Sequence, residues 1–135
     1  MRIGVAYDES PESEAALALA RTLTAPINPA LQVLQVVPVA TYNYFGAVPL
    51  GASVEELLTD ANSRLKGLTE VEARAVYGIA GEELAAFSGR LDLLVAGSRG
   101  YGPLRHLMLG STTTYLERHA RCSLLVLPRT ATNTK

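Results

Sequence analysis

Residues 31 to 37, LQVLQVV, form a nearly continuous apolar run that Pro38 stops. Such a run suits a strand buried on both faces of a parallel sheet, and proline ends it because it has no N–H to give to a ladder. Four more strand-like runs share the chain with it: RIGVAY at 2–7, the alternating Val71, Ala73 and Ala75, LDLLVAG at 91–97 and SLLVLP at 123–128. Helical stretches separate them. After Asp8 and Glu9, Ser10 is placed as an N-cap and Pro11 as the first helical residue, with Glu12 and Glu14 at the positive end of the helix dipole and Pro26 and Pro29 beyond its far end. Residues 53–66 repeat Val54, Leu57, Leu58, Ala61 and Leu65 at helical spacing, AGEELAAFSG gives a short helix with Gly89 set to stop it, and Ser111 to Arg121 gives the last helix.

Strands alternating with helices predict right-handed βαβ units, hence an α/β fold with a five-stranded, mostly parallel sheet and helices on both faces. Ligands of such sheets bind beyond the carboxyl ends of the strands, where the strand order reverses. The positions to watch are therefore Tyr7-Asp8, Val36-Val37 and Ala96-Gly97.

Composition narrows the function classes. A chain of 135 residues, 48% apolar, suits one domain, expected over 1–129 with a polar tail at 130–135. No run approaches the roughly 20 apolar residues of a membrane span, and the N-terminus enters a strand without the basic and apolar regions of a signal peptide, so a soluble, cytoplasmic protein is expected. Cys122 is the single cysteine, which excludes an internal disulfide and a CxxC pair. Twelve basic against thirteen acidic residues leave a net charge of -1, without the basic excess of a nucleic-acid binder.

The segment from Gly97 to Thr114, GSRGYGPLRHLMLGSTTT, leads from a strand's carboxyl end to a helix N-terminus. Glycines at 97 and 100 would let the backbone approach a ligand. Gly110 and the hydroxyls of Ser111 to Thr114 stand where free helix N–H groups hold an anion. It is not a P-loop, which needs GxxxxGK[ST], because no lysine occurs between Gly67 and Thr134. Nor is it the dinucleotide fingerprint: Gly100-x-Gly102 has arginine at 105, and the loop follows the fourth strand instead of the first.

Gly97-x-x-Gly100, nine residues, then Gly110-Ser111 is similar to the GxxGx9G[ST] nucleotide motif of the universal stress protein family. The resemblance extends over nearly the whole chain: Asp8 and Ser10 after the first strand, LQVLQVVP, LDLLVAGSRG and ERHARCSLLVLP look like that family's landmarks in order. It implies a Rossmann-like fold of the adenine nucleotide-binding type and membership of the ATP-binding branch, with ATP as ligand and AMP or another adenine nucleotide as the alternative. By that resemblance Ala6, Tyr7 and Asp8 lie along the adenosine and Val36 contacts the adenine; Ala96 and Gly97 close the base pocket, Arg99 and Gly100 flank sugar and phosphates, and Gly110, Ser111, Thr112 and Thr113 bind phosphate oxygens. Mg²⁺ would be held through the phosphates. The chain departs from the pattern at Glu9, where glycine is common, at Tyr7, which is bulkier than usual, and at Thr112, where an aliphatic residue is frequent. Glu9 would be unfavourable beside polyphosphate unless it points outward.

The resemblance further implies a nucleotide-dependent sensor or regulator of stress responses, with a homodimer paired antiparallel through residues 123–128 and a protein partner of unknown identity. Two alternatives stand beside it: an interaction module that binds no nucleotide, and a slow ATPase or autokinase with Ser111 or Thr113 as acceptor. No catalytic residue is assigned, since the phosphate loop carries no carboxylate to orient a water. Asp8 has two compatible readings, helix cap and ligand contact. His106 and His119 lack partner ligands at metal spacing, Cys122 reads as an inert buried thiol, and Tyr42, Tyr44 and Phe45 either cover the nucleotide or pack on the sheet.

Overall fold

The computed structural model describes residues 1–24, 31–38, 53–98 and 111–128. Strands and helices alternate along them as β1 (Ile3–Ala6), α1 (Pro11–Leu23), β2 (Leu31–Pro38), α2 (Val54–Leu65), β3 (Val71–Gly78), α3 (Ala80–Ser88), β4 (Leu93–Gly97), α4 (Ser111–His119) and β5 (Ser123–Leu127). Short-range chemistry sets the starts of α1 and α2. Ser10 Oγ accepts the Ser13 N–H at 3.1 Å, with Pro11 at the first helical position. Ser53 and Glu56 cap α2 reciprocally at 3.0 and 3.1 Å.

One helix end stands where expected, at Gly89 after α3, and one differs. Gly89 takes the right-handed conformation (φ -64°, ψ -16°), and α3 tapers through tight turns in which the amides of Gly89, Arg90 and Leu91 bond to Ala86, Phe87 and Ser88 carbonyls. The last helix stops at His119, two residues before the expected Arg121, because the Arg121 N–H turns away to Ser88 Oγ at 2.9 Å. Pro26 and Pro29 lie outside the described residues, as does the tail.

The strand order is β3-β2-β1-β4-β5, and every pairing is parallel. The sheet is thus wholly parallel among the described residues, and its order reverses between β1 and β4. Its two faces carry separate cores. Ile3, Val5 and Tyr7 pack with Ala16, Leu17 and Ala20 of α1 and Ala61 and Leu65 of α2. On the other face Leu34 and Leu94 pack with Leu84 and Phe87 of α3 and Leu116 of α4. Full burial of each large aliphatic contributes about 1.5–3 kcal/mol. Gly4 faces this second core, where a Cβ would press on Leu91 and stand 2.8 Å from Phe87.

At the amino ends of the strands the seam between β1 and β4 is tied shut. Asp92 N donates to Arg2 O at 2.8 Å, and the Asp92 carboxylate accepts from Arg2 N at 2.6 Å and from the guanidinium at 3.3 Å. Those bonds hold the Asp92 carboxyl below its ordinary range. Beside the seam, fully buried Ser88 donates to Ala85 O at 2.6 Å and accepts the Arg121 N–H, joining α3 to the turn before β5.

Ser88→Ala removes the acceptor of a partly buried N–H and should cost about 1–3 kcal/mol in urea unfolding. A change below 0.5 kcal/mol, taken as roughly the level of an ordinary surface substitution, would show that water replaces the bond.

Candidate functional site at the carboxyl ends of the strands

Because α4 ends beside Ser88 at the amino side of the sheet, its first turn stands at the carboxyl rim, the geometry of a right-handed crossover into parallel β5. The rim therefore carries the ends of β1, β2 and β4 and the start of α4. Ala6, Tyr7, Asp8, Val36, Ala96, Gly97, Thr112 and Thr113 all lie there. Ser111 opens α4, whereas Arg99, Gly100 and Gly110 fall outside the described residues, as do Arg105, His106 and the aromatics at 42–45.

The individual side chains have different jobs. Ala6 and Val36 face the core formed with α3 and α4. Tyr7 turns the opposite way: it is 7% exposed in the core under α1, its amide donates to Leu34 O at 3.0 Å, and its hydroxyl donates to Glu14 at 2.5 Å. A bulky residue fits here because its ring fills the core under α1. Burial, then the bond to Glu14, push the Tyr7 phenol well above its ordinary 10.0. Asp8 Oδ1 accepts the Ser10 N–H at 3.1 Å and the Asp8 amide donates to Ser13 Oγ at 3.2 Å, so this carboxylate braces the turn before α1 while Ser10 caps the helix.

Gly97 has a packing reason that its sequence context does not disclose. A Cβ there would lie 2.7 Å from Glu12 Cβ and 3.2 Å from the Glu12 carbonyl carbon, so its missing side chain admits the first turn of α1. Glu12, which sequence reasoning left at the helix dipole, is itself 5% exposed and abuts β4 at the rim. The signal for this contact is nonlocal. Ser98 N donates to Leu127 O at 3.0 Å and continues the β4–β5 connection to the rim.

Glu9 has φ +68°, the left-handed region that explains why glycine is common at this position. Its carboxylate points away along the α1 and α2 side, accepting from Arg64 Nε at 2.9 Å and from Gln35 Nε2 at 3.0 Å. Elsewhere, Cys122 is partly buried and its thiol is raised by that burial, and exposed His119 stacks on Tyr115 at 4.0 Å. No group of three His, Cys, Asp or Glu is placed to hold a metal ion among the described residues. No described helix is long and apolar enough to cross a membrane.

A wholly parallel, doubly wound sheet whose strand order reverses between β1 and β4 defines a Rossmann-like α/β domain. The sequence pattern of the Universal stress protein family matches residues 1–128, and the chain belongs to that family. Solved structures share the fold: protein MJ0577 at 22% identity, covering 95% of this chain and 96% of its own with a TM-score of 0.71, and UspA from Lactobacillus plantarum at 22% identity, 94% and 97% coverage and a TM-score of 0.64. A universal stress protein in complex with cAMP is 26% identical over 94% of this chain and 95% of its own, with a TM-score of 0.59. No curated protein sequence matches the chain.

Two outcomes test these assignments. Gly97→Ala should destabilise by about 1–3 kcal/mol with no ligand present, since overpacking acts on the free protein; unchanged unfolding would remove the packing role of Gly97. For Tyr7, the unfolded phenol ionises near 10 while the folded one keeps its proton, so this contribution is complete below pH 10 and declines as pH rises past it. Unfolding curves across pH 9–11 should show a decline that Tyr7→Phe lacks.

Proposed function

We propose that this protein is a cytoplasmic adenine-nucleotide-binding regulator of the universal stress protein type, with ATP as ligand. The observation that carries this reading is a charge asymmetry. The first turns of α1, α2 and α3 each hold two glutamates, Glu12 and Glu14, Glu55 and Glu56, Glu82 and Glu83, whereas the first turn of α4 holds none. Carboxylates offset the positive end of a helix dipole; α4 leaves it for another anion, with Thr112 and Thr113 hydroxyls beside it. This turn follows Gly97-x-x-Gly100 and Gly110-Ser111, and it stands at the rim where the strand order reverses. The donor set fits phosphate.

In this reading Ala6, Asp8, Val36 and Ala96 border the nucleoside, with Tyr7 and Gly97 contributing backbone, while Arg99, Gly100, Gly110, Ser111, Thr112 and Thr113 hold the phosphates and any Mg²⁺ rides on those phosphates. A structural relative in complex with cAMP supports an adenine nucleotide as the ligand class. Binding to one state shifts the population toward it, which is how a nucleotide regulates without chemistry. The homodimer reading is supported by β5 at the sheet edge, with an adjoining groove lined by Leu116, Ala120, Leu124 and Val126.

Calorimetric titration with Mg-ATP and with AMP, beside Gly110→Val, tests the proposal. Binding by the parent chain that weakens about tenfold or more in the variant is expected if Gly110 leads the backbone into the phosphate site. No heat with either ligand, in protein free of carried-over nucleotide, would leave an interaction module instead.

A further inference from the structure

A left-handed glutamate beside the site is an energetic oddity, because an L residue with a Cβ disfavours that conformation by roughly tenfold. Two tethers from different elements oppose the tendency to leave it. Arg64 on α2 places Nε 2.9 and 3.1 Å from the two Glu9 carboxylate oxygens. Gln35 on β2, 8% exposed, turns its amide nitrogen to Glu9 at 3.0 Å. That orientation leaves Gln35 Oε1 buried without a hydrogen bond, so the carboxamide is committed to the glutamate. Asp8, whose carboxylate braces the same turn through Ser10 N–H, precedes Glu9 in the chain.

We propose that Glu9 is a positioning residue of the rim, clamped by Arg64 and Gln35 so that the turn carrying Asp8 is preformed for the nucleoside. The binding role rests on the nucleotide reading above; the clamp itself does not. The clamp also answers the charge problem at this position, since the Glu9 carboxylate is matched by Arg64 on the α2 side. Without Arg64 the left-handed turn becomes one conformer among several, and apparent affinity falls with the competent fraction. An exposed ion pair of this kind limits the effect to about fivefold.

The experiment uses the full chain and three variants: Arg64→Met, which keeps the aliphatic stem, Arg64→Lys, and Arg64→Met combined with Glu9→Gly. Adenosine and AMP are titrated calorimetrically, and amide hydrogen exchange is followed by NMR without ligand. Arg64→Met should weaken adenosine and AMP alike by about fivefold and speed exchange at Asp8 and Ser10, whose amides bond to Ser13 Oγ and Asp8 Oδ1, while β1 amides stay protected. Lysine should restore part of the loss. Glycine at position 9 should restore most of it, because glycine holds a positive φ without a clamp. Exchange unchanged at Asp8 and Ser10 would overturn the clamp whether or not nucleotide binds. Faster exchange with unaltered affinity would overturn its role in binding, and absence of binding by the parent chain would overturn the nucleotide reading together with that role.

Discussion

β1 is only four residues long, yet both halves of the sheet are built on it. Gly4 pairs in register with Gln32 on one side and with Leu94 on the other, while Val5 sits between Val33 and Val95 with no exposed surface. The strand can take the middle place because Gly4 lets Leu91 and Phe87 close against the sheet where any side chain would collide. Chain direction does the rest. The two cores form on opposite faces, and the strand order reverses beside β1.

The two ends of the β1–β4 seam have opposite characters. At the amino ends Arg2 and Asp92 bond through backbone and side chains, and Ser88 ties in the turn before β5. At the carboxyl ends, local braces of Ser10 and Ser13 around Asp8 combine with long-range contacts, Glu12 against Gly97 and Glu9 between Arg64 and Gln35. The amino-end ion pair is exposed, whereas the rim keeps its backbone in defined shapes around buried Tyr7, Ser10, Glu12 and Ser13.

Elements governed by neighbouring residues were legible in the sequence. The Ser10-Pro11 start of α1, the stop at Pro38 and the position of β4 follow from capping, missing donors and apolar runs. What was not legible depends on distant partners. Gly97 reads as a ligand-facing glycine until Glu12, 85 positions earlier in the chain, is found filling its space. Tyr7 reads as an adenosine contact, but alternation along β1 and the bond to Glu14 send its ring into the core. At Glu9 the glycine common in the family hints at the positive φ, but the partners of its carboxylate, Gln35 on β2 and Arg64 on α2, are distant in the chain. The helix end at His119 was misjudged for the same reason: its competitor is Ser88.

The claim on which the account turns is that ligand binds at the carboxyl rim beside the strand reversal. Amide chemical shifts of the isotopically labelled chain, followed as AMP is added, test it most directly. The account predicts saturable shifts at Asp8, Ala96, Gly97, Ser98, Thr112 and Thr113, with Arg2, Asp92 and Arg121 at the opposite end unmoved. Shifts centred on those amino-end residues, or none at saturating AMP, would contradict it.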